Sequence, residues 1–291
     1  EYGNYMELND EQLKKHLSGM DALVFAAGVD ERIEGPAPIY DFFKKYNIDA
    51  LERLIKVAKE VGVKHVSICG SYFSYFAKKW PHLELTKHHP YIRSRIDQEK
   101  MALSYAEKGF DVSILELPYI FGAQPGRKPV WVFLVESIRK MKKSTLYTQG
   151  GTTMVTVKQV AQGIAGALET TSGGVAYPFG FYNYEWKDFL KIVHKHMGYS
   201  RERKVVTIPN FLFALQGTQI NKAHKKKGTE GGLDMVKFTK LQTANLFIEP
   251  EEGALRLGVS EDDIDAAIGE SVRLSLDILE AKTTDIVDMK G

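Results

Sequence analysis

Short apolar runs ending in small residues alternate, in the first half of the chain, with longer stretches of helical periodicity. Asp21 to Gly28 (DALVFAAG) reads as a buried parallel strand entering a tight turn. From Tyr40 to Val61, residues Asn47, Leu51, Leu54, Ile55 and Ala58 share one helix face, with Lys and Glu on the other, and Gly62 closes the helix. Lys64 to Ser71 gives a second buried strand, Tyr91 to Lys108 a helix closed by Gly109, and Phe110 to Leu117 a third strand stopped by Pro118. The segment between Ser71 and Tyr91, rich in Tyr, Phe, Lys and His, reads as a long loop.

Beyond Gly122 the rhythm changes. Gln124 to Pro129 is a breaker-rich loop, followed by an amphipathic helix from about Val130 to Met141. Thr153 to Val157 reads as a strand leading into a helix through Leu168, and Ala176 to Gly180 as another short strand. Trp186 to Met197 and Ile264 to Leu279 are helices, and the polar, glycine-rich stretch Asn221 to Gly232 is expected to be a mobile loop. Strands alternating with helices of this length imply right-handed crossovers. The fold class is therefore α/β: a Rossmann-like, doubly wound parallel sheet with a smaller C-terminal lobe. Residues 1–122 form the sheet domain, with 152–180 returning to it, and 123–291 supply mainly the substrate-binding lobe.

Composition narrows the function. A net charge of +2 over 291 residues gives no reason to expect nucleic acid as a partner. No apolar run approaches the roughly 18 residues of a membrane span, so no membrane partner is expected. The N-terminus shows no basic stretch followed by an apolar run, and the single cysteine, Cys69, excludes an internal disulfide framework. A cytoplasmic protein acting on a small molecule is the reading these facts favour.

The candidate chemistry lies in three residues. Ser71 ends a buried strand, Tyr91 opens the next helix, and Arg95 follows one helical turn later on the same face. Open parallel sheets bind ligands at their strand carboxyl ends, which brings Ser71 to the same cleft. A free phenol has a pKa of about 10, and a fixed cation favours its ionised form. Lowering it by about three units would take about 4 kcal/mol, shared among a cation, a serine hydroxyl and a cofactor charge.

At these positions the sequence resembles the extended short-chain dehydrogenase/reductase superfamily, in particular its NAD-dependent epimerase/dehydratase branch. Ala26, Ala27 and Gly28 resemble the small-residue strand end that lies against the cofactor, and Asn47 the asparagine of the following helix. Ser71 falls at the catalytic serine or threonine, and Pro90-Tyr91 resembles the start of the Tyr-x-x-x-Lys motif. Leu117, Pro118 and Ile120, in the run Leu117-Pro-Tyr-Ile-Phe-Gly122, resemble the segment beside the nicotinamide. Val155-Thr-Val157 with Gln159-Val-Ala161 is similar to the family's strand-to-helix step, and Ala254 to Gly258 to its C-terminal end. The resemblance implies NAD or NADP as cofactor, a nucleotide sugar or related carbonyl or alcohol as substrate, and a possible homodimer.

Three departures accompany it. Arg95 stands for the motif lysine, keeping the charge but not the lysine's compact ribose contact. Glu116 stands where many relatives carry arginine. The glycine-rich phosphate-binding turn is not in the chain, and a start at Glu1 leads to the expectation that a preceding strand, turn, helix and strand are omitted from it.

Blander readings stand beside these. His82, His88 and His89 lack a carboxylate or cysteine at ligand spacing and read as solvated or substrate-contacting rather than metal-binding. Cys69 reads as a packed strand residue, and Lys225 to Lys227 as a solvated loop. Tyr72, Phe73, Tyr75, Phe76 and Trp80 fit a substrate pocket or simple packing equally well. The functional rival is a non-catalytic dinucleotide-sensing or regulatory binding protein on the same fold.

Overall fold

The computed structural model describes residues 3–124, 126–199 and 203–282. Helix α1 (Asp10–Leu17) opens with a reciprocal cap between Asn9 and Gln12. Strand β1 (Ala22–Phe25) runs into a loop carrying the short β2 (Glu34–Pro36). The single helix expected over 40–61 is a continuous rod in three parts: α2 (Tyr40–Phe43), a π-helical turn (Lys44–Asp49) and α3 (Ala50–Glu60). It stops at Gly62, whose φ of 89° lets Val63 N–H reach the Ala58 carbonyl and Gly62 N–H the Lys59 carbonyl.

Strand β3 (His65–Cys69) follows. The expected loop after it is largely helical instead, with α4 (Tyr72–Lys79) and α5 (Leu85–His88). Ser71 caps α4, and Tyr72, Phe73 and Phe76 turn one face inward, so the aromatic stretch is held by a helix. Helix α6 (Pro90–Leu103) ends five residues earlier than expected. Ser104 hydroxyl donates to the Met101 carbonyl, and Glu107 and Phe110 exchange backbone hydrogen bonds across Gly109.

Strand β4 (Asp111–Glu116) leads to β5 (Tyr119–Phe121), α7 (Val132–Lys140), β6 (Thr145–Tyr147), β7 (Gly151–Thr156), α8 (Val157–Thr170) and β8 (Gly174–Pro178). The principal sheet is parallel in the order β1-β3-β4-β8, in a register that aligns Val24 with Ser67 and Val66 with Val112. Successive residues of β4 feed opposite faces. Val112 and Ile114 join the core under α3, while Leu115 packs with α8 and Phe179. Burial on both faces is what the unbroken apolar runs required. Of residues 152–180, β8 completes this sheet, whereas β7 is the central strand of a second sheet of order β12-β7-β5.

The remainder is β9 (Tyr182–Glu185), α9 (Trp186–His196), β10 (Val205–Thr207), α10 (Asn210–Lys227), β11 (Thr229–Gly231), α11 (Met235–Gln242), β12 (Asn245–Leu246) and α12 (Ile264–Leu279). The mobile loop expected over 221–232 is corrected here. Its first seven residues end α10, including Lys225 to Lys227, and β11 pairs antiparallel with β2, fixing Glu230 opposite Gly35. Helices α7, α9 and α12 enclose their own apolar core. An aromatic core that includes Phe43, Phe73, Phe76, Tyr91 and Phe238 ties α4 and α6 to the C-terminal segments. Among the described residues, no helix is long and apolar enough to cross a membrane.

Candidate active site

The carboxyl ends of β1, β3 and β4 open onto one cavity of about 280 Å³. Ala26, Ala27 and Gly28 form one wall from the end of β1, and Leu117, Pro118 and Ile120 another from the segment after β4. Ser71 arrives from the end of β3, and Tyr91 and Arg95 from the first turns of α6. The residues picked out from sequence therefore converge, with one exception.

Asn47 is fully buried behind the wall. Its side-chain oxygen accepts from Val29 N–H at 2.8 Å and its amide nitrogen donates to the Val29 carbonyl at 3.2 Å. Both halves of the amide are spent on backbone, so Asn47 positions the strand end instead of lining the site. Gly28 is required for this, because a Cβ there would stand 2.6 Å from the Asn47 oxygen, and its φ is 126°.

Tyr91 is 4% exposed, its hydroxyl accepts from Arg95 Nε at 3.1 Å, and it lines the same cavity as Ser71. Ser71 Oγ also accepts from Phe73 N–H at 3.3 Å, which aims it while it caps α4. Arg95 Nη1 donates to Gln98 Oε1 at 2.9 Å, and Gln98 in turn donates to the Asn47 carbonyl, so the guanidinium is held from behind. Phe43 and Phe73 pack edge-on against the phenol. The Tyr91 N–H donates to the Gly232 carbonyl at 3.0 Å, so the segment after β11 fixes the start of the helix.

The electrostatics differ from the sequence expectation. Burial raises the Tyr91 pKa above the ordinary phenol value, and this outweighs the downward pulls of Arg95 and Ser71, with Glu31 adding to the rise. The phenol is thus held in its protonated form. Arg95 and Ser71 limit that rise and do not reverse it.

Several wall residues carried no chemical signal in the sequence. Glu31 sits in the loop after β1, and Arg32 beside it pairs with Asp30, donates to the Val130 carbonyl at 3.4 Å and lies over the Phe133 ring. Tyr72 and Phe73, read above as fitting a pocket or simple packing, line it, and Tyr119 and Trp131 complete the wall. Their aromatic and loop positions are equally compatible with packing, so spacing could not single them out. Cys69 lines the cavity from the end of β3, with its thiol pushed up to about 11 by burial.

Glu116, at the end of β4, lies under this floor. It is 1% exposed and shares Lys78 with the buried Glu99: Lys78 Nζ is 3.1 Å from Glu116 and 2.5 Å from Glu99. Burial and the neighbouring Glu99 push the Glu116 pKa up to about 7. Of the histidines, His82 is exposed, but His89 is neither solvated nor in the cavity. It is fully buried, and its Nδ1 accepts from Asp234 N–H at 3.1 Å; burial lowers its pKa to about 4. No group of three His, Cys, Asp or Glu among the described residues could hold a metal ion.

Two apolar walls of small and aliphatic residues, closed at one end by a phenol and a hydroxyl, suit a flat nicotinamide ring. The described residues offer no glycine-rich turn between a strand and a helix N-terminus, so what they fit is the nicotinamide end of a dinucleotide.

Residues 4–178 match the model of a family described as NAD dependent epimerase/dehydratase. No curated protein matches the chain. Among solved structures, gox2253 is similar at 17% identity and a TM-score of 0.70, over 97% of this chain and 85% of that one. The UDP-N-acetylglucosamine 4-epimerase from Bacillus cereus is similar at 13% identity and a TM-score of 0.62, over 94% and 84%. The UDP-glucuronic acid 4-epimerase from Bacillus cereus, solved with NAD, is similar at 11% identity and a TM-score of 0.63, over 95% and 80%. Likeness at these identities is likeness of fold.

Proposed function

The chain belongs to the NAD-dependent epimerase/dehydratase family, and from that premise we propose that it acts on a nucleotide sugar with Tyr91 as the general acid/base. The observation that carries this reading is the convergence of Tyr91, Ser71 and Arg95 on one cavity at the strand carboxyl ends. Solved neighbours bearing the names of sugar-nucleotide epimerases and dehydratases support the substrate class.

A bound nicotinamide supplies the hydride donor or acceptor. The chain's own residues handle the proton. In the reducing direction Tyr91, held protonated by burial, gives its proton to a carbonyl oxygen placed against it; in the oxidising direction its phenolate takes the proton of the substrate hydroxyl, and Ser71 can hydrogen-bond the same oxygen in both. Arg95 stabilises the phenolate left behind, through its 3.1 Å contact and its charge. Gln98 and Asn47 keep that guanidinium and the Gly28 wall in place.

The test is turnover of UDP-glucose and UDP-N-acetylglucosamine with NAD by the wild type and by Tyr91→Phe. The variant should keep its melting temperature and lose at least about a hundredfold in kcat. A variant as active as the wild type would refute the assignment. Arginine at the lysine position favours one second reading, a dinucleotide-sensing protein without catalysis. It predicts a change in NADH fluorescence on binding and no turnover by the wild type.

A further inference from the structure

Four charged side chains line the cavity: Asp30, Glu31, Arg32 and Arg95. Three of them are satisfied within the protein. Arg95 serves Tyr91 and Gln98, and Arg32 and Asp30 form an ion pair that also ties the loop after β1 to the Val130 carbonyl. Glu31 alone, among the described cavity charges, has no side-chain donor within hydrogen-bond distance. It is half-buried and near enough to Tyr72, Tyr91 and Tyr119 to influence all three electrostatically.

A half-buried carboxylate with no side-chain donor takes its hydrogen bonds from water or from a ligand that displaces the water. The cations that could answer it are already engaged, and the three phenols around it belong to the wall. The chemistry the position lacks is a set of hydroxyl or amino donors. A further carboxylate would tip the balance, since Glu31 and Asp30 already match the charges of Arg32 and Arg95 on this wall.

We propose that Glu31 is a specificity-determining residue of this cavity, accepting hydrogen bonds from sugar hydroxyls and turning away sugars that carry a carboxylate. This rests on the nucleotide-sugar reading above. It separates substrates that differ only in whether the sugar ends in a hydroxymethyl or a carboxylate group.

UDP-glucose and UDP-glucuronic acid differ in that way, and calorimetric titration of each into the NAD-saturated protein measures the discrimination. The wild type should bind UDP-glucose at least about tenfold more tightly. Glu31→Gln, which keeps shape and removes charge, should narrow that ratio about tenfold, mainly by improving UDP-glucuronic acid. Glu31→Ala should narrow it as well and also weaken UDP-glucose. Melting temperatures near the wild type's show that both variants fold. A ratio unchanged in both variants, or a wild type that prefers UDP-glucuronic acid, overturns the role of Glu31 while leaving the function intact. If the wild type binds neither sugar nucleotide, the nucleotide-sugar reading itself falls, and this inference with it.

Discussion

Glu116→Gln should stabilise the protein in mildly alkaline solution and have little effect in mild acid. Two buried carboxylates, Glu116 and Glu99, face a single ammonium, that of Lys78, and neither oxygen of Glu116 has a hydrogen-bond donor of good geometry. The folded state therefore prefers Glu116 protonated. Its pKa rises from the ordinary 4.5 to about 7. Because the folded value lies above the unfolded one, the stabilising contribution is complete below the unfolded pKa and is lost as pH climbs through the folded pKa. The loss amounts to about 3 kcal/mol, incurred largely between about pH 4.5 and pH 7. Glutamine is neutral throughout and avoids it. Thermal unfolding of both proteins near pH 5 and near pH 8.5 should show a melting-temperature gap that grows by about 5 °C or more in favour of the variant. Comparing the gap at two pH values cancels any constant effect of the amide. A gap that does not change with pH would show that Glu116 is ionised in the folded protein across the range. A growing gap seen with Glu99→Gln in place of Glu116→Gln would put the shared proton on the neighbour.

Two further outcomes follow from the wall and from the cation. Gly28→Ala places a methyl group 2.6 Å from the Asn47 side-chain oxygen at a backbone φ of 126°, so it should cost about 2–3 kcal/mol in chemical denaturation; unchanged stability would mean that Asn47 does not hold this strand end. Arg95→Met removes the cation that pulls the Tyr91 phenol down, so the pH at which a Tyr91-dependent rate rises should move up. A pH–rate profile identical to the wild type's would show that Arg95 does not tune the phenol.

Much of the sheet and the reacting trio could be read from the chain because both are local signals. Buried parallel strands announce themselves as apolar runs, and a tyrosine and an arginine four residues apart must share a helix face. What escaped was non-local or lacked a period. Helix α10 buries only Gly217 against α11, so its sequence carries no apolar stripe, and its end at Lys225 to Lys227 read as a loop. Strand β11 exists because β2, about two-thirds of the chain away in sequence, offers it an edge. Helix α4 was hidden by its own aromatics, although the spacing of Tyr72, Phe73 and Phe76 is helical. Glu31 gave no warning, since an acidic residue in a polar loop is commonplace until the fold surrounds it with phenols. The sign of the Tyr91 shift was misjudged for a related reason: the cation is visible in sequence, whereas the depth of burial that outweighs it is a property of the packed structure.

The bond from the Tyr91 amide to the Gly232 carbonyl means that the start of α6 and the segment after β11 are not independent parts. Exchanging residues 210–242 for the equivalent stretch of another protein would move the backbone acceptor against which Tyr91 is registered. New substrate preference in this scaffold is therefore more accessible through side chains at the rim, where Glu31 and Arg32 lie, than through wholesale transplants of the C-terminal half.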